Sequence, residues 1–386
     1  MRISRNTYGR LAAALAGALA FAPATQLAHA QTFKVLYTFS GYSDGAHPEG
    51  TLLLRGGNLY GTTRGGQGGV SSCGTVFQVN TKTNQETTLY TFAFSPSDGC
   101  GVYAGLTGST SGEFYGTTAN GGASNDGTVF QVSSLGAESL LHSFAGPQQD
   151  GQRPVAALIR DSAGNLYGTT EGGGTTGSGT VFKLDTVGNL TILHSFRSTP
   201  DGAGPMASLL LEHGILYGTT FGGGKTNGGT VFKVNVKTGR ETVLYNFTGG
   251  ADGDSPYAGV ITDGNGNLYG TTGGGGIGAG VVYKLNIAAR QETVLYSFTG
   301  GVDGLAPTSA LVRDSQGNLY GTTSSGGAGT VFKLDTAGNL TTLHTFSGSD
   351  GANPYAGLVR DSKGNLYGAA FYGGSAGFGT IFEITP

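Results

Sequence analysis

The string GNLYGTT at residues 164–170 recurs, nearly unchanged, six more times along the 386-residue chain. Anchored on its Tyr, the copies fall at Tyr60, Tyr115, Tyr167, Tyr217, Tyr269, Tyr320 and Tyr367, with spacings of 55, 52, 50, 52, 51 and 47 residues. An Asp-Gly pair keeps step with it at Asp44, Asp98, Asp150, Asp201, Asp252, Asp303 and Asp350. Two landmarks sharing one count and one period define a repeat protein, and the period decides the architecture before any local reading.

One unit, from Val155 to Phe196, reads as four short segments of β-branched and aromatic residues separated by Gly, Asn, Asp and Thr, with no sustained helical period. The expected strands are A at 156–160, B at 165–170, C at 179–184 and D at 190–196. DSAGN (161–165) and DTVGN (185–189) are compact hairpin turns, whereas EGGGTTGSG (171–179) and RSTPDGAGP (197–205) are longer connections. Strand direction alternates, so the B–C and D–A loops share one face. The 74 glycines recur at fixed phases, as expected of turns with positive φ or of close backbone approach.

Each repeat supplies a Tyr from B, an aromatic from C (Phe77, Phe130, Phe182, Phe232, Tyr283, Phe332, Phe382) and a Phe from D (Phe39, Phe92, Phe144, Phe196, Phe247, Phe298, Phe346). A lone four-stranded sheet cannot bury aromatics on both faces, but sheets stacked around an axis can. The expected fold is all-β: a seven-bladed β-propeller of four-stranded antiparallel blades. FKVLYTF (33–39) is a D strand with no A, B or C before it, and GTIFEITP (379–386) is a C strand with no D after it. The N-terminal strand should therefore complete the seventh blade and remove both open edges. Small residues open strand A in nearly every copy, as crowding at the axis requires.

The combination GNLYGTT…GTVFKLD…LHSF…DG…P resembles the choice-of-anchor tandem repeat GloVer family of exported bacterial proteins, over roughly 33–386. That family is known by its repeat, and the resemblance brings no activity, catalytic residue or cofactor with it. Relatives are often followed by a C-terminal surface anchor. With none before Pro386, the resemblance implies release, or retention by binding.

Arg2, Arg5 and Arg10 precede the apolar run LAAALAGALAFA (11–22) and then AHA at 28–30, the order of a secretory signal peptide. The run falls short of the ~20 apolar residues of a membrane span. The expected organisation is a signal peptide over 1–30 and the propeller over 31–386, with cleavage near Ala30 and a secreted product, periplasmic or extracellular. Cleavage changes the formal charge from 21 − 24 = −3 to 18 − 24 = −6, since the leader removes three Arg. Low charge without a basic cluster argues against nucleic acid and anionic membrane as partners. A monomer is expected.

The topology places Cys73, in the first B–C loop, beside Cys100, in the following D–A loop; two cysteines in an exported chain are expected to pair. The alternative, two free thiols in a metal or catalytic site, lacks a histidine partner. The seven aspartates should ring the same face, where they either hold a cation such as calcium or sugar hydroxyls, or cap their own turns. A residue present in every blade favours capping. DGD at 252–254 lacks the remaining ligands of a calcium loop.

Positions that vary between repeats are the better guide to a ligand. Just before the small residues of strand A stand Glu49, Tyr103, Val155, Met206, Tyr257, Thr308 and Tyr355, which should rim the mouth of the central channel. Tyrosines for stacking and hydrogen bonding beside one carboxylate suit a carbohydrate or another small ligand; they would equally serve to cover the channel end. GGSAG (373–377), GGGKT (222–226) and the glycines 273, 275 and 278 mimic enzyme motifs, but no helix follows any of them. His142, His194 and His344 share one phase of strand D with Tyr37, Tyr90, Tyr245 and Tyr296, and read as packing residues. The absence of Trp excludes Trp-bearing propeller repeats. No catalytic residue, metal site or organic cofactor is expected. The functional expectation is a secreted, non-catalytic module binding a carbohydrate or surface partner through the B–C/D–A face. Its rivals are a carbohydrate-acting lyase or hydrolase with acidic residues at the channel mouth, and a structural matrix protein.

Overall fold

The structure, a computed structural model, describes residues 31–66 and 73–385. The expected signal peptide lies outside the described residues. Those residues form seven four-stranded antiparallel sheets, the blades of a β-propeller, and one two-stranded ribbon pairing Gly99–Cys100 with Asn120–Gly121. Blades 1 to 6 lie within 53–91, 107–143, 159–195, 210–246, 261–297 and 312–345; blade 7 combines 359–385 with 32–38.

Blade 3 shows how the repeat folds. Its strands are Ile159–Arg160, Leu166–Thr170, Thr180–Leu184 and Leu190–Ser195, in that order across the sheet. In the A–B turn, Asp161 accepts hydrogen bonds from the Asn165 backbone N–H (2.9 Å), the Asn165 amide (2.8 Å) and the Tyr167 hydroxyl (3.0 Å). Gly168 pairs with Phe182 across the B–C ladder, and a Cβ there would lie 2.6 Å from the Phe182 ring and 2.8 Å from Leu158. This glycine serves close approach rather than positive φ. The threonines have different tasks. Thr170 shares a hydroxyl bond with Thr180 inside the blade (2.8 Å). The preceding Thr reaches the next blade in five copies, as Thr117 does to the Ala156 carbonyl (3.0 Å) and Thr219 to that of Ala258 (2.9 Å). Thr169 itself has no acceptor for its buried hydroxyl.

Strand A is shorter than the sequence suggests. Only Ile159 and Arg160 join the ladder, and 156–158 run beside it unpaired within their own sheet. The reason is convergence at the axis, where the inner segment meets its neighbour's backbone before its own strand B. A Cβ on Gly105 of blade 2 would stand 2.1 Å from the Thr51 carbonyl oxygen of blade 1. Small residues are therefore required there, as the sequence indicates.

Strand D carries a bulge. In blade 3, Val181 pairs with His194 but Phe182 pairs with Ile192, which leaves Leu193 unopposed. The same shift occurs in all seven blades, each time beside a Leu, and local twist rises at such sites.

Blades adhere through aromatics. The D-strand Phe of each blade meets the C-strand aromatic of the next edge-to-face, with centroids 4.8–5.3 Å apart and planes at 63–69°, around all seven interfaces. Such pairs contribute about 0.5–1.5 kcal/mol each beyond their area burial. Closure follows the sequence reading: Thr32–Thr38 pairs antiparallel with Thr380–Thr385, and Phe39 carries the aromatic contact on to Phe77 of blade 1.

Candidate functional site

On the face bearing the long loops, the chain passes from strand D of one blade to the interior of the next through a residue in the left-handed region. His47, Arg153, Ser255, Ala306 and Asn353 sit there at φ of 53–62°, with Gly101 and Gly204 in the remaining blades. Each links two blades. The His47 N–H donates to the Phe378 carbonyl of blade 7 (2.8 Å), while its own carbonyl accepts from the Arg64 N–H (3.1 Å). A non-glycine residue at such φ costs of order 1–3 kcal/mol, sustained where the surroundings over-determine it. Two residues further on comes the side chain that faces the axis.

The structure brings Glu49, Tyr103, Val155, Met206, Tyr257, Thr308 and Tyr355 together around a cavity of about 470 Å³ at the channel mouth, with Arg153, Ala306 and Ser324 completing the wall. A narrower space of about 120 Å³ continues below it, lined by the small residues of the inner segments. The mouth is asymmetric. In blades 1 to 3 it is charged: the Arg64 guanidinium stands 4.3 Å over the Tyr103 ring and 3.8 Å from the Glu49 carboxylate, and Arg153 bonds Glu171 at 3.0 Å. In blades 5 and 7 the mouth is aromatic: Tyr257 packs on Phe221 at 4.7 Å and Tyr355 on Phe371 at 5.4 Å, the latter ring also 6.0 Å from Arg64, so each tyrosine is braced yet stays 40% and 36% exposed, respectively.

Glu49 is the one carboxyl group among the lining residues. Burial pushes its proton affinity above the usual carboxylate range, with Arg64 opposing. Its Oε2 is buried without a hydrogen-bond partner, as is the Thr308 hydroxyl two blades away on the same cavity. Both are polar groups whose missing bonds a ligand could supply, and leaving such a group unpaired is costly. Burial likewise raises the Tyr355 phenol.

Arg64, Phe221 and Phe371 were not singled out by the sequence reading. They stand directly after the strand-B string, where the copies read Arg64, Ala119, Glu171, Phe221, Gly273, Ser324 and Phe371. The variability that identifies the mouth residues marks this position too.

The aspartate ring is a set of turn caps. Asp303 accepts from the Thr299 N–H (2.8 Å) and the Tyr296 hydroxyl (3.0 Å); Asp150 accepts from the Ala145 N–H (2.8 Å) and faces His142 Nε2 at 2.8 Å. Asp44, Asp98, Asp201, Asp252 and Asp350 repeat the pattern with Tyr37, Tyr90, His194, Tyr245 and His344. The strand-D His and Tyr therefore have a partner the sequence reading missed, although they do also pack edge-on against their own strand's Phe, as His194 does on Phe196 at 4.8 Å. Their place six to eight residues ahead of each Asp-Gly is the signal. Cys73 and Cys100 form a disulfide across a 27-residue span, joining the first two blades at the loop face.

Solved structures share this architecture at low identity. The extracellular domain of a hybrid two component system protein from B. thetaiotaomicron superposes with a TM-score of 0.59 at 14% identity, over 92% of this chain and 41% of that one. A puromycin-hydrolyzing peptidase from Mycobacterium tuberculosis gives 0.55 at 14%, over 83% and 48%. An oligogalacturonate lyase from Vibrio parahaemolyticus gives 0.54 at 13%, over 92% and 96%. The chain thus spans about half or less of the first two proteins. These likenesses establish the fold alone. No curated protein matches the chain in sequence. The model of the Gloeobacter/Verrucomicrobia repeat matches residues 21–161, 134–328 and 252–386, and the chain therefore belongs to the Gloeobacter/Verrucomicrobia repeat family.

Proposed function

We propose that this protein is an exported, non-catalytic binding module that takes a carbohydrate at the mouth of its channel. The observation that carries the reading is the placing of two braced, half-exposed tyrosines, Tyr257 and Tyr355, around one cavity with the Glu49 and Thr308 oxygens, which are buried without a hydrogen bond. Sugar rings present apolar faces to aromatic side chains and hydroxyls to polar ones, so a rim on which stacking rings alternate with hydrogen-bonding groups suits them. Export rests on the leader pattern of residues 1–30.

A hydrolase reading is less well supported. Glycoside hydrolysis ordinarily uses two carboxyl groups, either ~5–5.5 Å or ~6.5–9.5 Å apart. The cavity wall supplies Glu49 alone. The test is a thermal-shift and calorimetric screen of the purified chain against soluble oligosaccharides and polysaccharides. The expected result is saturable stabilisation that falls at least tenfold in affinity in Tyr257→Ala and Tyr355→Ala, with the sugar recovered unchanged. A flat response across the panel from a folded sample overturns the carbohydrate reading.

A further inference from the structure

The outer edge of the seven blade interfaces repeats one arrangement with different side chains. A strand-D Tyr or His of one blade bonds the Asp of the following turn, and the next blade adds the strand-D residue that pairs with the aliphatic two places after its strand-C aromatic; where that residue is Glu, its charge acts on the Asp. The seven sets are Tyr37/Asp44/Glu86, Tyr90/Asp98/Glu138, His142/Asp150/Leu190, His194/Asp201/Glu241, Tyr245/Asp252/Glu292, Tyr296/Asp303/Leu340 and His344/Asp350/Phe33. The interface between blades 3 and 4 alone combines an imidazole with two carboxylates. There the ligand-capable atoms of His194, Asp201 and Glu241 all lie within 4.8 Å of one another, and among the described residues this is the one such group.

Two observations give this trio the properties of a metal site. His194 Nε2 stands 3.1 Å from Asp201 Oδ2, close to the ~3.3–3.6 Å edge of a tetrahedron with metal–ligand bonds of 2.0–2.2 Å. Glu241 Oε1 is buried with no hydrogen-bond partner. The geometry points to a single transition-metal site, of the zinc class, formed by His194, Asp201 and Glu241 at the interface of blades 3 and 4, pinning the two blades together.

A mixed nitrogen and oxygen donor set with three protein ligands suits Zn²⁺ or Co²⁺ with one open position. Calcium, which takes six to eight oxygens, is a poor match. Asp201 and Glu241 also line a groove of about 600 Å³ together with Arg197, Lys225 and Arg290. Arg197 now touches Asp201 at 3.5 Å through a side chain that is 62% exposed, so it can give way to the ion and remain in solvent. A water or a small anion drawn by these cations would complete the coordination.

The repeat supplies its own controls. His194→Tyr makes this interface match three others in the same ring, so the variant keeps a side-chain combination that the fold already accommodates. Tyr245→His gives blade 4 the donor set next to Asp252 and Glu292. Untagged protein, stripped with a chelator and dialysed, is titrated with Co²⁺ followed by ligand-field absorption, and with Zn²⁺ by calorimetry. One equivalent bound per chain is expected, with affinity lost in His194→Tyr by more than the about 10–100-fold that outer-shell changes cost, at an unchanged metal-free melting point. Tyr245→His should bind two equivalents. Absence of saturable binding, binding that persists in His194→Tyr, or a stoichiometry of one in Tyr245→His overturns the assignment.

Discussion

At the residue scale, GNLYGTT is a string in which almost every letter has its own partner. Gly164 turns the hairpin at φ +94°, Asn165 and Tyr167 both serve Asp161, Leu166 enters the core, and Thr170 pins strand C. Gly168 is the most constrained. Its missing side chain is the seat of the Phe182 ring, so Gly168→Ala forces a Cβ into space already taken by Phe182 and Leu158. Overpacking of this kind costs about 1–3 kcal/mol, and denaturant unfolding should show a lower midpoint with an unchanged slope. An unchanged midpoint would mean that the B–C ladder relaxes freely at this point.

At the scale of the element, strand D is where the repeats differ most in chemistry while keeping one geometry. Its bulge and its Phe are constant, but the residue near its start that pairs two places beyond the strand-C aromatic is Glu in four blades and Leu or Phe in three. In Glu138 and Glu292 burial, and secondarily Asp98 and Asp252 respectively, raise the carboxyl from 4.5 to about 7. A folded-state value above the unfolded one means that the folded protein holds the proton more tightly. The stabilisation is complete below pH ~4.5 and disappears as pH rises through ~7. Melting temperature should therefore decline between pH 5 and 8, and the slope should flatten in the double variant Glu138→Gln, Glu292→Gln. A slope identical to the parent's would show that these carboxyls ionise freely in the fold. The bulge was not legible in the sequence, because one unopposed Leu inside a strand leaves the aromatic spacing looking regular. The Asp–His and Asp–Tyr bonds were legible only in part: the spacing was visible, but not that an imidazole and a phenol can serve the same acceptor.

For the molecule as a whole, closure is the decisive event. Strand 32–38 is remote in sequence from 380–385, and pairing them covers the exposed edge of blade 7 and seats Phe39 against Phe77. Deleting residues 31–39 should leave that edge open and remove one of seven aromatic interfaces. The expected outcome is a loss of cooperative thermal unfolding together with self-association visible by light scattering. A monomer melting like the parent would show that the ring holds without its clasp.

The sequence by itself determined the number of blades, the four-strand unit, the closure and the cysteine pair, because period and alternation are properties of order along a chain. It also brought the mouth residues to notice, since variation at one phase of a repeat is visible without coordinates. Tertiary structure decided what those residues do to one another. Arg64 lies over Tyr103, Phe371 braces Tyr355 and Glu49 loses its hydrogen-bond partners only after seven distant segments converge on one axis. Strand A ends short for the same reason: at the axis a segment answers to the neighbouring blade rather than to its own sheet. The meeting of His194 with Glu241, 47 residues apart and on different blades, belongs to that second kind of fact. Repetition fixes position, and packing between repeats fixes chemistry.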